Sequence, residues 1–301
     1  MKINSNNRKS IIHLYSILWN EEVMLPYFFN YYDQYVDKYI FFDDGSDDRT
    51  KEIIENHPKT EFRSLPLEDP DSYVRSAQHI HNSCWKESIG VADWVIITAV
   101  DEYLYHPSLI KYLNHCEQRG ITVLPAVGFE MILDYFPPKK TPLLDSVKDG
   151  APSKLMNKLS IFKPEALEKS NFQLGRHTAG PEGKIKYPSQ DVLLNLHFKY
   201  LSFDFLFQRY KVLKEKLRKN DVENRWGYQY SLEKEELKKT WDTFKKHAVK
   251  NILHLSNKEL KQLSPISERW WKIQIRQQSI YFKLKRKVLS IAKETFLKTS
   301  R

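Results

Sequence analysis

The residues of this 301-residue chain best suited to chemistry fall in three short polar clusters, each placed directly after an apolar run. Asn20-Glu21 follows residues 11–18. Asp43-Asp44-Gly45-Ser46-Asp47-Asp48-Arg49-Thr50 follows residues 39–42. Asp101-Glu102 follows residues 94–100. Carboxylates in such places can accept hydrogen bonds from a uracil or ribose edge. Gly45 permits a tight turn, and Ser46 or Asp48 can cap a helix that starts after it. By itself the second cluster also reads as a capped strand-to-helix turn of the kind any α/β protein contains. Three clusters at one edge of one sheet say more than any of them alone.

The elements that must position these clusters follow from the apolar pattern. Residues 11–18, 39–42 and 94–100 are nearly continuous apolar runs, as strands buried on both faces should be. Residues 61–65 and 121–127 read as further strands. Asn20, Glu21 and Glu22 open a helix that runs to about residue 35, with acids where the helix dipole favours them. Further helices are expected near 48–58, 72–88 and 107–118. Alternating strands and helices predict a mainly parallel sheet with helices on both faces, and ligands then bind beyond the carboxyl ends of the strands. After residue 135 the pattern loosens around Pro137, Pro138, Pro142, Gly150 and Pro152, with short strands expected at 158–162, 184–187 and 192–200. From Ser202 the chain reads as helical and basic. The expected organisation is one domain over 1–200 and a helical basic region over 201–301.

Composition narrows the class. A chain with 41% hydrophobic and 13% aromatic residues can bury a real core, which excludes global disorder. The formal charge of +10 suggests an anionic partner. The excess gathers in runs such as Lys211, Lys214, Lys216, Arg218, Lys219 and Lys283, Lys285, Arg286, Lys287, which also read as solvated helix faces. Two cysteines, Cys84 and Cys116, make neither a disulfide framework nor a zinc site, and fit a reducing compartment. The polar N-terminus does not read as a signal peptide, and no stretch approaches a membrane span. A cytoplasmic protein is expected. No nucleic-acid module appears, and acids at strand ends argue against a nucleic-acid partner.

Trp19-Asn20-Glu21-Glu22, an apolar helix, then Phe41-Phe42-Asp43-Asp44-Gly45-Ser46-Asp47-Asp48-Arg49-Thr50 resembles the opening of family 2 glycosyltransferases. Residues 94–105 resemble the metal-binding strand end of a bacterial branch of that family related to family 92, with Ala99 where the first acid would stand. The resemblance covers about residues 11–230 and implies a GT-A, Rossmann-like α/β fold that uses a UDP-linked sugar donor. It implies that Asn20, Glu21, Asp43, Asp44, Ser46 and Asp48 bind the nucleotide sugar, with Asp44 the best base-contacting candidate. It also implies that Asp101, with Glu102, holds Mn²⁺ or Mg²⁺ on the diphosphate.

Gly175-Arg176-His177 and Leu193-Leu194-Asn195-Leu196-His197-Phe198-Lys199-Tyr200 resemble histidine-bearing segments of the same branch. They make His177 and His197 candidates for a further metal ligand. Arg209, Arg218 and Arg225 follow, and an arginine near a leaving diphosphate would stabilise its charge. An inverting transfer needs a carboxylate base, for which Glu130, Asp134 and Asp191 are the candidates. The acceptor class implied is a glycan or lipid-linked molecule in surface polysaccharide synthesis. A catalytically inactive binding relative is the alternative, supported by Ala99. Beyond residue 269, paired tryptophans among lysines and arginines have the composition of a helix at an anionic membrane surface, or of an amphipathic helix packed on the domain.

Overall fold

The computed structural model describes residues 9–277, apart from residues 140 and 265. In chain order its strands are β1 (Ile12–Leu18), β2 (Lys38–Asp43), β3 (Thr60–Ser64), β4 (Trp94–Ile97), β5 (Glu102–Tyr105), β6 (Val123–Leu133), β7 (Gly150–Pro152), β8 (Lys158–Phe162), β9 (Leu167–Lys169), β10 (Glu182–Gly183) and β11 (Leu194–Leu201). The helices are α1 (Leu25–Tyr32), α2 (Thr50–Glu55), α3 (Tyr73–Ser83), α4 (Leu109–Gln118), α5 (Leu143–Ser146), α6 (Phe203–Glu215), α7 (Lys219–Glu223), α8 (Lys234–His247) and α9 (Asn257–Leu263).

One nine-stranded sheet runs β3-β2-β1-β4-β8-β6-β11-β5, with β7 paired to β6. The first four strands are parallel, β8 is inserted antiparallel between β4 and β6, and β6 and β11 are parallel again. This is the expected Rossmann-like α/β sheet, and side-chain alternation explains its two covered faces. Leu14, Leu18, Phe41 and Ile96 pack with Leu25 and Phe28 of α1, Ile54 of α2 and Leu113 of α4. Tyr15, Ile17, Phe42, Val95 and Ile97 point the other way, against Ala77 and Ile80 of α3 and Trp85. Buried on both faces, β1 is covered at all seven positions.

The sheet ends at β5, and an open edge strand needs partners for its backbone. Tyrosines of α1 supply them. The Tyr32 hydroxyl donates to the Glu102 carbonyl and accepts from the Leu104 N–H, both at 2.9 Å, and the Tyr31 hydroxyl donates to the Leu104 carbonyl at 2.9 Å. The turn carrying Asp101 is thereby fixed from both sides, since β5 also pairs with β11.

Three expectations are corrected. The first helix starts at Leu25 rather than Asn20, because hydroxyl and carboxylate groups of residues 46–50 capture the backbone N–H groups of Asn20, Glu21 and Glu22. Residues 184–187 form no strand. Their backbone makes isolated bonds to Ala166 and Thr122 instead of a ladder. The expected interfacial tail begins inside the fold: Trp271 and Arg269 are fully buried and the Trp270 indole donates to the Asn157 carbonyl at 2.9 Å. The rest of that segment, residues 278–301, lies outside the described residues. No described helix is long and apolar enough to cross a membrane.

Candidate functional site

The second cluster and the first are one construction. Asp43 turns the chain after β2 by accepting from the Gly45 N–H at 3.0 Å, the Ser46 N–H at 2.9 Å and the Ser46 hydroxyl. Gly45 can take the left-handed conformation (φ +76°) that this turn requires. The Ser46 hydroxyl receives the Asn20 N–H at 2.8 Å, Thr50 receives the Glu21 N–H at 2.7 Å and Asp48 receives the Glu22 N–H at 3.1 Å. Asn20, itself left-handed, exchanges side-chain bonds with Asp47. Of the expected nucleotide ligands, Asn20, Asp43, Ser46 and Asp48 therefore already use their polar atoms to hold two turns together.

Asp44 and Glu21 are engaged differently, by cations from the C-terminal helices. The Arg218 guanidinium bonds one oxygen of Asp44, and Lys216 lies 3.9 Å from the other. That second oxygen, Oδ2, is buried without a hydrogen-bond partner, and so is one terminal nitrogen of Arg218. Burial raises the Asp44 carboxyl above its ordinary range, against the pull of Arg218 and Lys216. From α6, Arg209 reaches across the strand ends to Glu21 at 2.5 Å and to the carbonyls of Trp19 and Asn20. Burial raises Glu21 to about 7, with Arg209 opposing and Asp101 and Asp48 adding to the rise.

At the third cluster, Asp101 and Glu102 have opposite surroundings. Glu102 is 3% exposed and lies between Lys158 (2.6 Å) and Arg176 (3.2 Å). Burial works against its charge, but the two cations outweigh burial and hold the carboxyl at about 2. Asp101 faces His197, whose Nε2 lies 3.1 Å from Oδ2. The other ring nitrogen, Nδ1, is 2.6 Å from Glu130. Burial would lower the imidazole, but the two carboxylates raise it to about 10. Burial would raise Asp101, and the imidazolium holds it well below the carboxylate range. β11 creates this row by pairing with both neighbours: His197 stands opposite Glu102 of β5 and Glu130 of β6.

Asp101, Glu102 and His197 present ligand atoms within 4.8 Å of one another. The donor set fits a divalent cation through Asp101 and His197. A carboxylate oxygen faces an imidazole nitrogen, and a second carboxylate sits on the far ring nitrogen, the arrangement that orients metal-binding histidines. Glu102 fits poorly despite its position, because two buried cations already neutralise it.

The other candidates stand apart. His177 is outside the cluster. Its Nδ1 donates to the Leu155 carbonyl at 2.6 Å, and burial lowers its pKa. Arg225 is exposed on a left-handed turn after α7. Asp134 is an exposed acid paired with Lys245, too open to activate a hydroxyl in a cleft. Asp191 is 2% exposed at its side chain and bound by Arg269 (2.7 Å), Lys272 (2.9 Å) and the Trp271 indole (3.1 Å), so it ties the C-terminal segment to the domain. Glu130 joins the Asp101–His197 row, as the partner of His197. Sequence reading missed Lys158 and Arg176, the partners of Glu102, and Asp221. Asp221 caps α3 from outside by accepting from the Ser72 hydroxyl at 2.5 Å and the Tyr73 N–H at 2.9 Å. No local signal marks these roles, because each partner lies far away in sequence.

No protein-family profile matches the chain, and a search of curated proteins gave no match. Among solved structures the chain is similar to S. aureus TarS, with TM-score 0.38 and 11% identity over 67% of this chain and 38% of that one. It is similar to residues 1–349 of TarS in complex with UDP-GlcNAc, with TM-score 0.37 and 10% identity over 67% of this chain and 65% of that one. It is also similar to glucosyl-3-phosphoglycerate synthase from Mycobacterium tuberculosis in complex with Mn²⁺, UDP and glucosyl-3-phosphoglycerate. That match has TM-score 0.28 and 20% identity over 40% of this chain and 44% of that one. The chain spans less than two thirds of the length of each of these proteins.

Proposed function

We propose that this chain is a metal-dependent glycosyltransferase resembling family 2 that transfers a sugar from a UDP-linked donor to a glycan or lipid-linked acceptor. The observation that carries the reading is the pairing of Asp44 with Arg218 and of Asp101 with His197 beyond the carboxyl ends of β2 and β4, the two parallel strands that flank β1. The Oδ2 of Asp44 and one terminal nitrogen of Arg218 are an acceptor and a donor without hydrogen-bond partners, on two side chains bonded to each other. A uracil edge offers the complementary N–H and carbonyl, and buried polar groups left unmatched are costly enough to need such a partner.

Asp101 and His197 would hold Mn²⁺ or Mg²⁺, and the nitrogen in the set favours Mn²⁺. When bound, the ion supplies positive charge to the donor diphosphate. Glu130 keeps the His197 ring turned so that Nε2 faces Asp101. Arg209 fixes the turn at Asn20 and Glu21. Of the three proposed bases, Glu130 alone contacts the Asp101–His197 pair, and its bond to His197 makes it a positioning group. A second reading, a binding protein without turnover, draws on Ala99 and on the neutralised Glu102. A donor screen following nucleoside diphosphate release with and without Mn²⁺ separates them. Metal-dependent release is expected. UDP binding without release from any donor would favour the second reading, and no UDP binding would sink both.

A further inference from the structure

Among the described residues, Lys199 is a cation near the Asp101–His197 pair with no carboxylate in ion-pair contact. Lys158 and Arg176 share Glu102, Arg209 pairs with Glu21, and Arg218 and Lys216 flank Asp44. Among the described residues no carboxylate oxygen lies within the 4.0 Å ion-pair distance of the Lys199 ammonium. Aromatic rings surround it instead: the Nζ atom is 4.8 Å from the centre of the Tyr210 ring, 5.8 Å from Tyr230 and 6.0 Å from Tyr200. Ring faces attract a cation but do not neutralise it. The side chain is half-buried, so it has lost much of its water and keeps a path to solvent.

Its backbone setting is equally particular. From His197 to Tyr200 β11 advances three residues while β6 advances two, from Glu130 to Ile132. Lys199 stands in that bulge, and bulges re-aim side chains next to functional sites. Its charge acts on both Asp101 and Glu130. Lys199 follows His197 along β11 and packs against Tyr210 of α6, the helix that also carries Arg209.

A half-buried cation with no carboxylate in ion-pair contact has lost water without a direct partner, and a ligand that brings the opposite charge supplies one. We propose that Lys199 binds the diphosphate of the donor and carries the negative charge that grows on it as the sugar leaves. This rests on the donor reading above, and the ligand chemistry it requires is phosphoryl oxygen within reach of the ammonium.

The test uses the full chain, Lys199→Met to keep the packing against the rings, and Lys199→Arg to restore the charge. Inorganic pyrophosphate, UDP and uridine are titrated calorimetrically in the absence of metal, with circular-dichroism melts as the folding control. Losing one charge-assisted contact should weaken pyrophosphate and UDP by about 10- to 100-fold in Lys199→Met, with uridine unchanged and Lys199→Arg close to wild type. UDP should compete with pyrophosphate. Equal pyrophosphate affinity in wild type and a folded Lys199→Met would overturn the proposal. So would pyrophosphate that stays bound under saturating UDP, since the anion would then belong to the acceptor. If wild type binds pyrophosphate through Lys199 but no nucleotide, the donor reading fails while the anion site stands. Should Lys199→Met not fold, Lys199→Gln replaces it with the same expected outcomes.

Discussion

Two pairs of adjacent acids follow β2 and β4, and within each pair the two carboxylates have different surroundings. In Asp43-Asp44 the leading acid closes a turn with three hydrogen bonds, and the trailing acid keeps an oxygen free. In Asp101-Glu102 the order is reversed: the trailing acid is buried between two cations and the leading one faces His197. The two motifs look equivalent as sequence. Hydrogen-bond accounting separates, in each pair, an acid fully engaged within the fold from one that keeps an unbonded oxygen or meets a histidine.

The sharpest way to break this division is at Glu102. Glu102→Gln leaves Lys158 and Arg176 buried without a counter-charge, which should cost about 3–5 kcal/mol in urea unfolding. A loss below about 1 kcal/mol would mean that Glu102 is no more structural than its neighbour. Asp101→Ala should do the reverse. Its stability should stay near wild type, while Mn²⁺ affinity measured by calorimetry should fall by more than the roughly 10- to 100-fold that outer partners of a metal site are worth. Retained Mn²⁺ binding would remove Asp101 from the metal site.

The first pair should split by smaller amounts. Asp43→Ala gives up turn bonds and should lower stability by about 1–2 kcal/mol. Asp44→Ala should weaken UDP about tenfold with little change in melting temperature, and Asp47→Ala should leave UDP affinity unchanged. If Asp43→Ala and Asp44→Ala have the same effect on UDP and on stability, the two acids are not distinct in role.

The parts of this arrangement that the sequence made legible are local. Apolar runs marked β1, β2 and β4, and the acids at their ends marked the edge that matters, because a buried parallel strand and a polar strand end each leave a pattern within a few residues. The illegible parts are contacts across the chain. His197 meets Asp101 from 96 positions away and Glu130 from 67, through the strand order β6-β11-β5, which no local pattern encodes. As sequence, Asp191 is an acid like the other base candidates, and its partners Arg269, Trp271 and Lys272 come from a segment about 80 positions away that reaches it only through packing. The first helix was started too early for a similar reason. Asn20, Glu21 and Glu22 have good helix-start chemistry, but residues 46–50 hold their N–H groups in a turn.

Glu21 gives the last and smallest test, and it extends the comparison to the first cluster, where Asn20 builds and Glu21 faces a cation. Two forces act on Glu21 with opposite signs. Burial favours the neutral acid, and Arg209 at 2.5 Å favours the carboxylate. Burial prevails, raising the carboxyl to about 7 from a model-peptide value of 4.5. An acid raised in the folded state holds its proton longer there than in the unfolded chain. Folding is then favoured most below about pH 4.5, and this contribution is lost as pH rises towards 7. The contribution should be on the order of 1 kcal/mol, since residual structure in the unfolded chain blunts such shifts. Glu21→Gln should flatten that part of the stability profile, measured by urea unfolding at half-unit pH steps from 4.5 to 7.5. If pairing with Arg209 prevails instead, the wild-type profile should be flat between pH 4.5 and 7.5 and fall only below about pH 4.5, in a series extended to that range, and Glu21→Gln should remove that fall. A profile that is the same in wild type and Glu21→Gln would mean that neither force is felt at this position, and that Arg209 holds the turn through the Trp19 and Asn20 carbonyls alone.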